Sequence, residues 1–198
     1  MKKIILASGS PRRKDLMSGL DLDFEIDTLN NFKESVDLSM DPREVPVNMS
    51  VGKSHGYHRA LSEDEVLVTA DTVVIIESKV LGKPHSREEA AAMLRLLSGR
   101  THEVVTAVTI RDIDREETFS DSTLVTFGDL SDADIDYYVD RYRPFDKAGA
   151  YGVQEWIGYI GVERIEGSFY NVMGLPIHRV YEALKKFGIN ALPPGNNG

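Results

Sequence analysis

Apolar runs along the chain alternate with short polar segments that begin and end them. Residues 4–7 are apolar and predict a short buried strand. Ser10 and Pro11 follow, and these residue types are favoured at the N-cap and in the first turn of a helix. We expect that helix to end near Gly19. The chain therefore begins with a strand, a tight turn and a helix.

The next long apolar run, residues 66–76, is rich in β-branched side chains and predicts a second strand. Glu77 and Ser78 interrupt it, and the apolar pattern resumes at 79–81, which indicates a hairpin. Asp71 lies inside this run. A charged residue at that place needs a physical explanation.

The rest of the chain predicts further helices and strands. In chain order they are a helix from Ser86 to about Gly99, strands at 104–110 and 118–127 joined by a charged turn, a helix from Ser131 to about Arg141, and a helix at 177–187 that ends at Gly188. Because strands and helices are interspersed and some strands form hairpins, we expect an α/β fold with a mixed sheet flanked by helices. Residues 1–189 are expected to form one domain and 190–198 a flexible tail.

Composition and charge exclude several classes of function. The chain has 198 residues, no cysteine and a formal net charge of −9. Disulfides, thiolate metal sites and a cysteine nucleophile are therefore excluded. An acidic surface repels nucleic acid, and no stretch approaches the ~20 apolar residues of a membrane span, so neither partner is expected. The short apolar run after Lys2 and Lys3 does not reach the length of a signal peptide, and we expect a cytoplasmic protein.

Positive charge is concentrated where the first strand gives way to the first helix. Ser8, Gly9, Ser10, Arg12 and Arg13 bring hydroxyls, a flexible backbone and guanidinium groups to a helix N-terminus. Helix N-termini and arginine forks both favour phosphate oxygens. The pattern predicts an anion-binding turn, although a solvated surface turn would have the same composition.

Asp71 is the strongest candidate for chemistry. A lone carboxylate within an apolar strand is costly to bury, so it indicates a metal ligand or a group that transfers protons. The alternative is a structural aspartate that pairs with a lysine or a backbone amide. Sequence alone leaves both open.

Four more residues are weaker candidates. Glu34 would bind Mg²⁺ or Mn²⁺ with Asp71 if the two carboxylates meet, since both ions prefer hard oxygen ligands. Lys53 and Lys83 are either phosphate ligands or ordinary surface lysines. Gln154 follows a glycine-rich segment and offers a donor and an acceptor, as needed to bind the edge of uracil or thymine. A structural glutamine is the alternative there.

Six sequence blocks in a fixed order give the chain a family resemblance. They are LASGSPRR at 6–13, TADT at 69–72, LGKP at 81–84, LSGRTH at 97–102, DKAGAYG at 146–152 and GLP at 174–176. Together they resemble the Maf family of nucleoside triphosphate pyrophosphatases. The resemblance implies an elongated, two-lobed α/β fold with a strongly twisted mixed sheet, related to inosine triphosphate pyrophosphatases. It also implies a deep cleft for a nucleotide and a divalent cation, and a homodimer.

The resemblance also assigns roles to residues. Asp71 matches the proton acceptor or metal-held base, and Glu34 matches a metal-binding carboxylate. The positions that match triphosphate ligands are Ser8, Arg12, Arg13, Lys53 and Lys83. The positions that match the specificity residues of the dTTP- and UTP-hydrolysing branch are Arg12, Thr72 and Gln154. Ser54 departs from the family pattern, in which alanine is usual.

The resemblance therefore implies a hydrolase that splits dTTP or UTP into the monophosphate and pyrophosphate. Two other functions remain open from sequence. One is the same chemistry on 7-methyl-GTP or a damaged purine nucleotide. The other is a nucleotide-binding regulator of cell division that does not hydrolyse its ligand.

Overall fold

The structure is a computed structural model that describes residues 2–33 and 40–190. Its strands are β1 (Lys3–Leu6), β2 (Phe24–Ile26), β3 (Glu65–Ile76), β4 (Lys79–Leu81), β5 (Thr101–Arg111), β6 (Glu116–Phe127) and β7 (Val162–Glu166). Its α-helices are α1 (Pro11–Ser18), α2 (Glu44–His55), α3 (Arg87–Leu97), α4 (Asp132–Tyr142), α5 (Trp156–Gly161), α6 (Phe169–Met173) and α7 (Ile177–Lys186). A 3-10 turn spans Ala148–Ala150.

The described strands form one mixed sheet in the order β2-β1-β3-β5-β6-β7, with β4 paired to β3. β1 is parallel to β2 and β3, and the other pairs are antiparallel. The predicted mixed α/β sheet flanked by helices is confirmed. β1 pairs with β3 only as far as Val68, and β4 pairs with β3 only from Val74 onwards. Between them, residues 69–73 of β3 have no partner on that edge among the described strands.

The core lies on both faces of the sheet because side chains of a strand alternate between faces. On one face, α2 contributes Val45 and Met49, which cluster with Val73 and Ile75 of β3. On the other face, α1 and α7 cover the first half of β3, and α3 and α4 cover its second half. Helices therefore cover both faces of β3, while residues 69–73 pair with no described strand along one edge.

Most predicted elements are present within one or two residues of their expected bounds. Ser131 forms a capping box with Asp134, and the Ser86 side chain accepts a hydrogen bond from the backbone N–H of Glu89. Both strands are longer in the structure than predicted: β5 begins three residues earlier, and the hairpin between β5 and β6 is tighter than expected. No helix in the ranges described has the length and apolarity needed to cross a bilayer.

No local sequence pattern predicted α2, β2, α5, α6 or β7. α2 contains Pro46 and Gly52, which usually argue against a helix interior. Pro46 lies in the first turn, where a missing N–H costs nothing. Gly52 is required by a close contact, described below. The predicted tail from 190 lies outside the described residues apart from Asn190.

Candidate functional site

Arg13 occupies the unpaired edge of β3. Its Nη1 donates to the carbonyl oxygen of Ala70 at 2.9 Å and to Ser8 Oγ at 3.2 Å. Its Nη2 donates to Thr72 Oγ1 at 3.0 Å, and its Nε donates to the carbonyl oxygen of Gly174 at 2.7 Å. The guanidinium group thus lies where a neighbouring strand would otherwise pair with β3. Its hydrogen bonds connect α1, β3 and the segment after α6.

The turn before α1 places polar groups next to the Arg13 guanidinium group. Ser10 is the N-cap of α1, as predicted, but its hydroxyl makes no capping hydrogen bond. The backbone N–H of Ser10 donates to Ser8 Oγ at 3.4 Å. The first turn of α1 therefore presents a hydroxyl and backbone amides that suit an anion.

Asp71 and Lys53 form an ion pair at this edge. Lys53 Nζ lies 2.6 Å from Asp71 Oδ1, and the two side chains are 20% and 19% exposed. Asp71 points to the face covered by α2, whereas Thr72 points to the opposite face and to Arg13. Asp71 therefore pairs with a lysine, which was the structural alternative to a chemical role in the sequence analysis. Both partners, however, line a cavity.

This cavity, the inner chamber, adjoins a second one, the outer chamber, and six side chains belong to both walls. The inner chamber, of about 110 Å³, includes Asp71, Thr72, Gln154 and the apolar side chains of Val74, Val104 and Val172 in its wall. The outer chamber, of about 440 Å³, is lined by the turn at 7–13 and by Thr28, Asn30 and Phe32. The side chains shared by both chambers are Ser10, Arg12, Arg13, Lys53, Lys83 and Asp146.

The structure therefore brings nearly all the predicted site residues to one place. The residues around the two chambers are Ser8, Ser10, Arg12, Arg13, Lys53, Asp71, Thr72, Lys83 and Gln154. Glu34, the predicted second metal ligand, lies outside the described residues. The turn at 81–84 is tied to the 3-10 turn by a hydrogen bond from Gly149 N–H to the Gly82 carbonyl.

The outer chamber is positively charged. Arg12, Arg13, Lys53 and Lys83 line it, and Asp146 is the one carboxylate among the described residues of its wall. Lys83 is exposed and forms no hydrogen bond or ion pair with any part of the chain that the structure describes. An excess of cations in a concave surface attracts small anions such as phosphate groups.

The inner chamber has a different character. Gln154 Oε1 is buried, and no described residue donates a hydrogen bond to it. A buried acceptor without a partner is costly, so its presence in a cavity wall indicates that a ligand supplies the donor. Together with the valine side chains, this arrangement suits a flat ring with an N–H on its edge.

Charged side chains beside the inner chamber form a network that the sequence analysis did not identify. Arg12 Nη1 donates to Asp146 Oδ2 at 2.8 Å, and Lys147 Nζ donates to Asp146 Oδ1 at 2.7 Å. Lys147 is almost buried and also lies 3.2 Å from Glu155 Oε1. Burial opposes ionisation of Asp146, but the bonds from Lys147 and Arg12 outweigh it and lower its pKa to about 2. The DKAGAYG block contains two of these residues, without indicating their contacts.

A buried histidine supports the far wall of the inner chamber. His102 Nε2 lies 2.7 Å from the hydroxyl oxygen of Tyr151, which lines that chamber. Burial lowers the pKa of His102 to about 4, so the ring is neutral at pH 7. Burial also raises the pKa of Tyr151. The pair is a structural support made of uncharged groups.

Ser54, the departure from the family pattern, has a structural role. Its Oγ accepts a hydrogen bond from Arg111 Nε at 2.9 Å, and its carbonyl oxygen accepts from Arg111 Nη2 at 2.8 Å. These contacts attach the last turn of α2 to β5. The serine therefore helps to hold the helix that carries Lys53.

The donor set permits a divalent cation that takes most of its ligands from elsewhere. No group of three or more His, Cys, Asp or Glu side chains converges within residues 2–33 and 40–190. Asp71 supplies a hard carboxylate oxygen, and its Oδ2 makes no hydrogen bond to a described residue. Mg²⁺ commonly binds through one or two carboxylates, substrate phosphates and water. Asp71 beside the cationic outer chamber fits that mode.

Comparison with solved structures agrees with the fold. The structure of a HAM1 protein from Coxiella burnetii aligns with a TM-score of 0.50. The alignment covers 94% of this chain and 100% of that one, at 14% sequence identity. At this identity the likeness concerns the fold alone.

Comparison with known sequences is more specific. The chain is 55% identical over 188 residues to a dTTP/UTP pyrophosphatase of Porphyromonas gingivalis, with 94% of each chain covered. It is 51% identical over 185 residues to a dTTP/UTP pyrophosphatase of Parabacteroides distasonis, with 93% of this chain and 96% of the relative covered. The family described as Maf-like protein matches residues 3–187. With five of the six sequence blocks contributing to the walls of the two chambers and this match over nearly its whole length, the chain belongs to the Maf family.

Proposed function

We propose that this protein hydrolyses dTTP and UTP to the nucleoside monophosphate and pyrophosphate. The main support is that Arg13 and Asp71, far apart in sequence, both line the inner chamber, which adjoins the cationic outer chamber. Family membership and relatives named dTTP/UTP pyrophosphatase support the same activity.

The two chambers suggest how the substrate lies. The triphosphate occupies the outer chamber, where Arg12, Lys53 and Lys83 neutralise its charge. The base occupies the inner chamber, where Gln154 Oε1 accepts a hydrogen bond from the N3–H of uracil or thymine. Arg12 and Thr72 complete the set of specificity residues.

Asp71 acts on the water molecule that attacks the α-phosphorus. Lys53 holds one oxygen of the carboxylate, and the other oxygen accepts the proton of the water. The hydroxide oxygen bonds to the α-phosphorus, the bond to the bridging oxygen breaks, and pyrophosphate leaves with that oxygen. Arg13 keeps Ser8 and the β3 edge in place during the reaction.

Asp71 and Glu34 are the residues proposed to hold a Mg²⁺ or Mn²⁺ ion. When bound, such a cation neutralises phosphate charge and so stabilises the anionic transition state. We also propose a cytoplasmic homodimer whose partner molecules are nucleotides, with no nucleic acid or membrane partner. Light scattering coupled to size exclusion tests the dimer.

The test is pyrophosphate release from a panel of triphosphates with and without Mg²⁺ and Mn²⁺. We expect dTTP and UTP to be the preferred substrates over CTP, GTP, 7-methyl-GTP and inosine triphosphate. Preference for 7-methyl-GTP or inosine triphosphate would favour the purine alternatives. Tight binding without release from any nucleotide would favour the regulator.

Asp71→Asn supplies the matching variant. We expect it to remove turnover while nucleotide binding, measured by calorimetry, is largely retained. Asp23→Asn is the control, because Asp23 is exposed and lies away from both chambers. An active Asp71→Asn variant would exclude Asp71 as the base.

A further inference from the structure

Gln154 lies in a tight turn, and one buried tyrosine holds both ends of that turn. The turn is closed by a hydrogen bond from Glu155 N–H to the carbonyl oxygen of Gly152. The backbone N–H of Gly152 donates to the Tyr138 hydroxyl at 3.0 Å. The same hydroxyl donates to Glu155 Oε2. Tyr138 is fully buried in α4, so its hydroxyl brackets Gln154 from within the core.

Two further contacts fix the turn. Lys147 Nζ lies 3.2 Å from Glu155 Oε1, the second oxygen of that carboxylate. The backbone of Gly158 also approaches the turn so closely that a Cβ there would lie 1.9 Å from the Val153 carbonyl oxygen. The turn is therefore held by Tyr138 and Lys147 and packed closely by Gly158, whereas the amide of Gln154 itself makes no hydrogen bond to a described residue.

The same carboxylate is connected to Arg12. Lys147 joins Glu155 to Asp146, and Asp146 accepts a hydrogen bond from Arg12. The network contains two cations and two carboxylates, so it carries no net charge beside the chamber proposed for the base. The network connects Arg12 to the turn that carries Gln154, and both are proposed specificity residues. The connecting side chains, Asp146, Lys147 and Glu155, are not themselves specificity residues.

We infer that Tyr138 and Glu155 are positioning residues for base selection, which hold Gln154 and Arg12 at fixed places in the inner chamber. The inference rests on the proposed function. Uracil presents a donor at N3 and an acceptor at O4, whereas cytosine presents an acceptor at N3 and a donor at N4. A site distinguishes such bases only when its polar groups are fixed, since a mobile group adapts to both.

The test uses Tyr138→Phe, which removes only the hydroxyl. Tyr142→Phe is the matched control, because Tyr142 lies one turn further on α4, stacks on Tyr138 and makes no hydrogen bond to a described residue. Glu155→Gln is a second variant that keeps the side-chain volume. The values of kcat and KM are measured for UTP and CTP, and affinities for UMP and CMP by calorimetry.

We expect Tyr138→Phe and Glu155→Gln to lower the UTP-to-CTP ratio of kcat/KM by about tenfold, mainly through a higher KM for UTP. The ratio of UMP to CMP affinity should fall in parallel, and Tyr142→Phe should leave both ratios unchanged. If Tyr138→Phe does not fold, Glu155→Gln decides the question.

Unchanged ratios in the folded variants would overturn the inference, even if overall activity falls. Wild-type protein that releases no pyrophosphate from UTP would instead contradict the proposed function. In that case the UMP and CMP affinities still judge the role of Tyr138, because they require no turnover.

Discussion

Lys53 Nζ and Asp71 Oδ1 are 2.6 Å apart, and this contact joins the last turns of α2 to the unpaired edge of β3. The two side chains are partly shielded from water at the wall of the inner chamber. A half-buried ion pair is stronger than an exposed one, because water screens it less. The pair thus fixes the direction of the carboxylate and places the Lys53 ammonium group in the wall of the outer chamber.

Replacing Lys53 with methionine should remove both effects without changing the side-chain length. We expect kcat/KM for UTP to fall about 100-fold or more, as when a preorganised electrostatic contact to a transition state is lost. Steady-state pyrophosphate release measures the change. Lys79→Met is the control, since Lys79 is exposed on β4 and lines neither chamber. A fall of less than threefold would remove Lys53 from the proposed chemistry.

Replacing Arg13 with lysine should damage both stability and activity. An ammonium group cannot reach Gly174, Ala70 and Thr72 together, since these contacts use three nitrogens of a planar guanidinium. Unpaired, partly buried acceptors cost about 1–3 kcal/mol each. Urea denaturation should show a loss of that order. Arg95→Lys on the exposed face of α3 should change the free energy of unfolding little, and an equally small effect at Arg13 would contradict the anchoring role.

Gly52 is predicted to be required because Phe32 packs on it. A Cβ at Gly52 would lie 2.3 Å from Phe32 Cε2 and Cζ. Alanine normally stabilises a helix interior relative to glycine by about 1 kcal/mol. Here we expect Gly52→Ala to destabilise the protein and lower kcat/KM, because Phe32 also lines the outer chamber. Denaturation and activity are measured on the same samples.

A double-mutant cycle separates the contact from other effects. In a Phe32→Ala background the clash is absent, so Gly52→Ala should become stabilising, with a coupling of about 1–3 kcal/mol. Gly19→Ala is the control, since its nearest neighbour would lie at 3.4 Å. Additive effects of Gly52→Ala and Phe32→Ala would show that the two residues do not interact.

His102 predicts a pH dependence of stability. Burial lowers its pKa from 6.5 to about 4, so between these values the unfolded chain binds more protons than the folded one. The contribution of neutral His102 to the free energy of unfolding is therefore fully present above pH 6.5 and is lost as the pH falls towards 4. The loss by roughly pH 5 should be on the order of 2 kcal/mol.

The measurement compares the wild type with His102→Gln by urea denaturation at several pH values. Between roughly pH 5 and 6.5 the free energy of unfolding of the variant should no longer rise with pH as that of the wild type does. The variant should be less stable at every pH, because Tyr151 loses its hydrogen-bond partner. The pKa values of Glu65 and Asp146 are both lowered to about 2, so their contributions fall away at lower pH. Equal slopes for the two proteins would exclude His102 as the source.

Local sequence signals were sufficient for the capped helices α3 and α4 and for the central strand β3. The capping residues Ser86 and Ser131 and the apolar run that became β3 all act through neighbours close in sequence. α2 was missed because its stability comes from distant contacts. Gly52 is tolerated there because Phe32 fills the space that a side chain would occupy.

The sequence by itself determined the mixed α/β class, the turn and helix start before α1 and the candidate status of Asp71, since caps, apolar runs and an isolated carboxylate are visible along the chain. Tertiary structure alone decided which groups meet. Arg13 bonds to Gly174 across 161 positions, and Tyr138 reaches the turn that carries Gln154 from a separate helix. Such contacts depend on how helices pack on the sheet, and packing is a property of the whole fold, which no local pattern records.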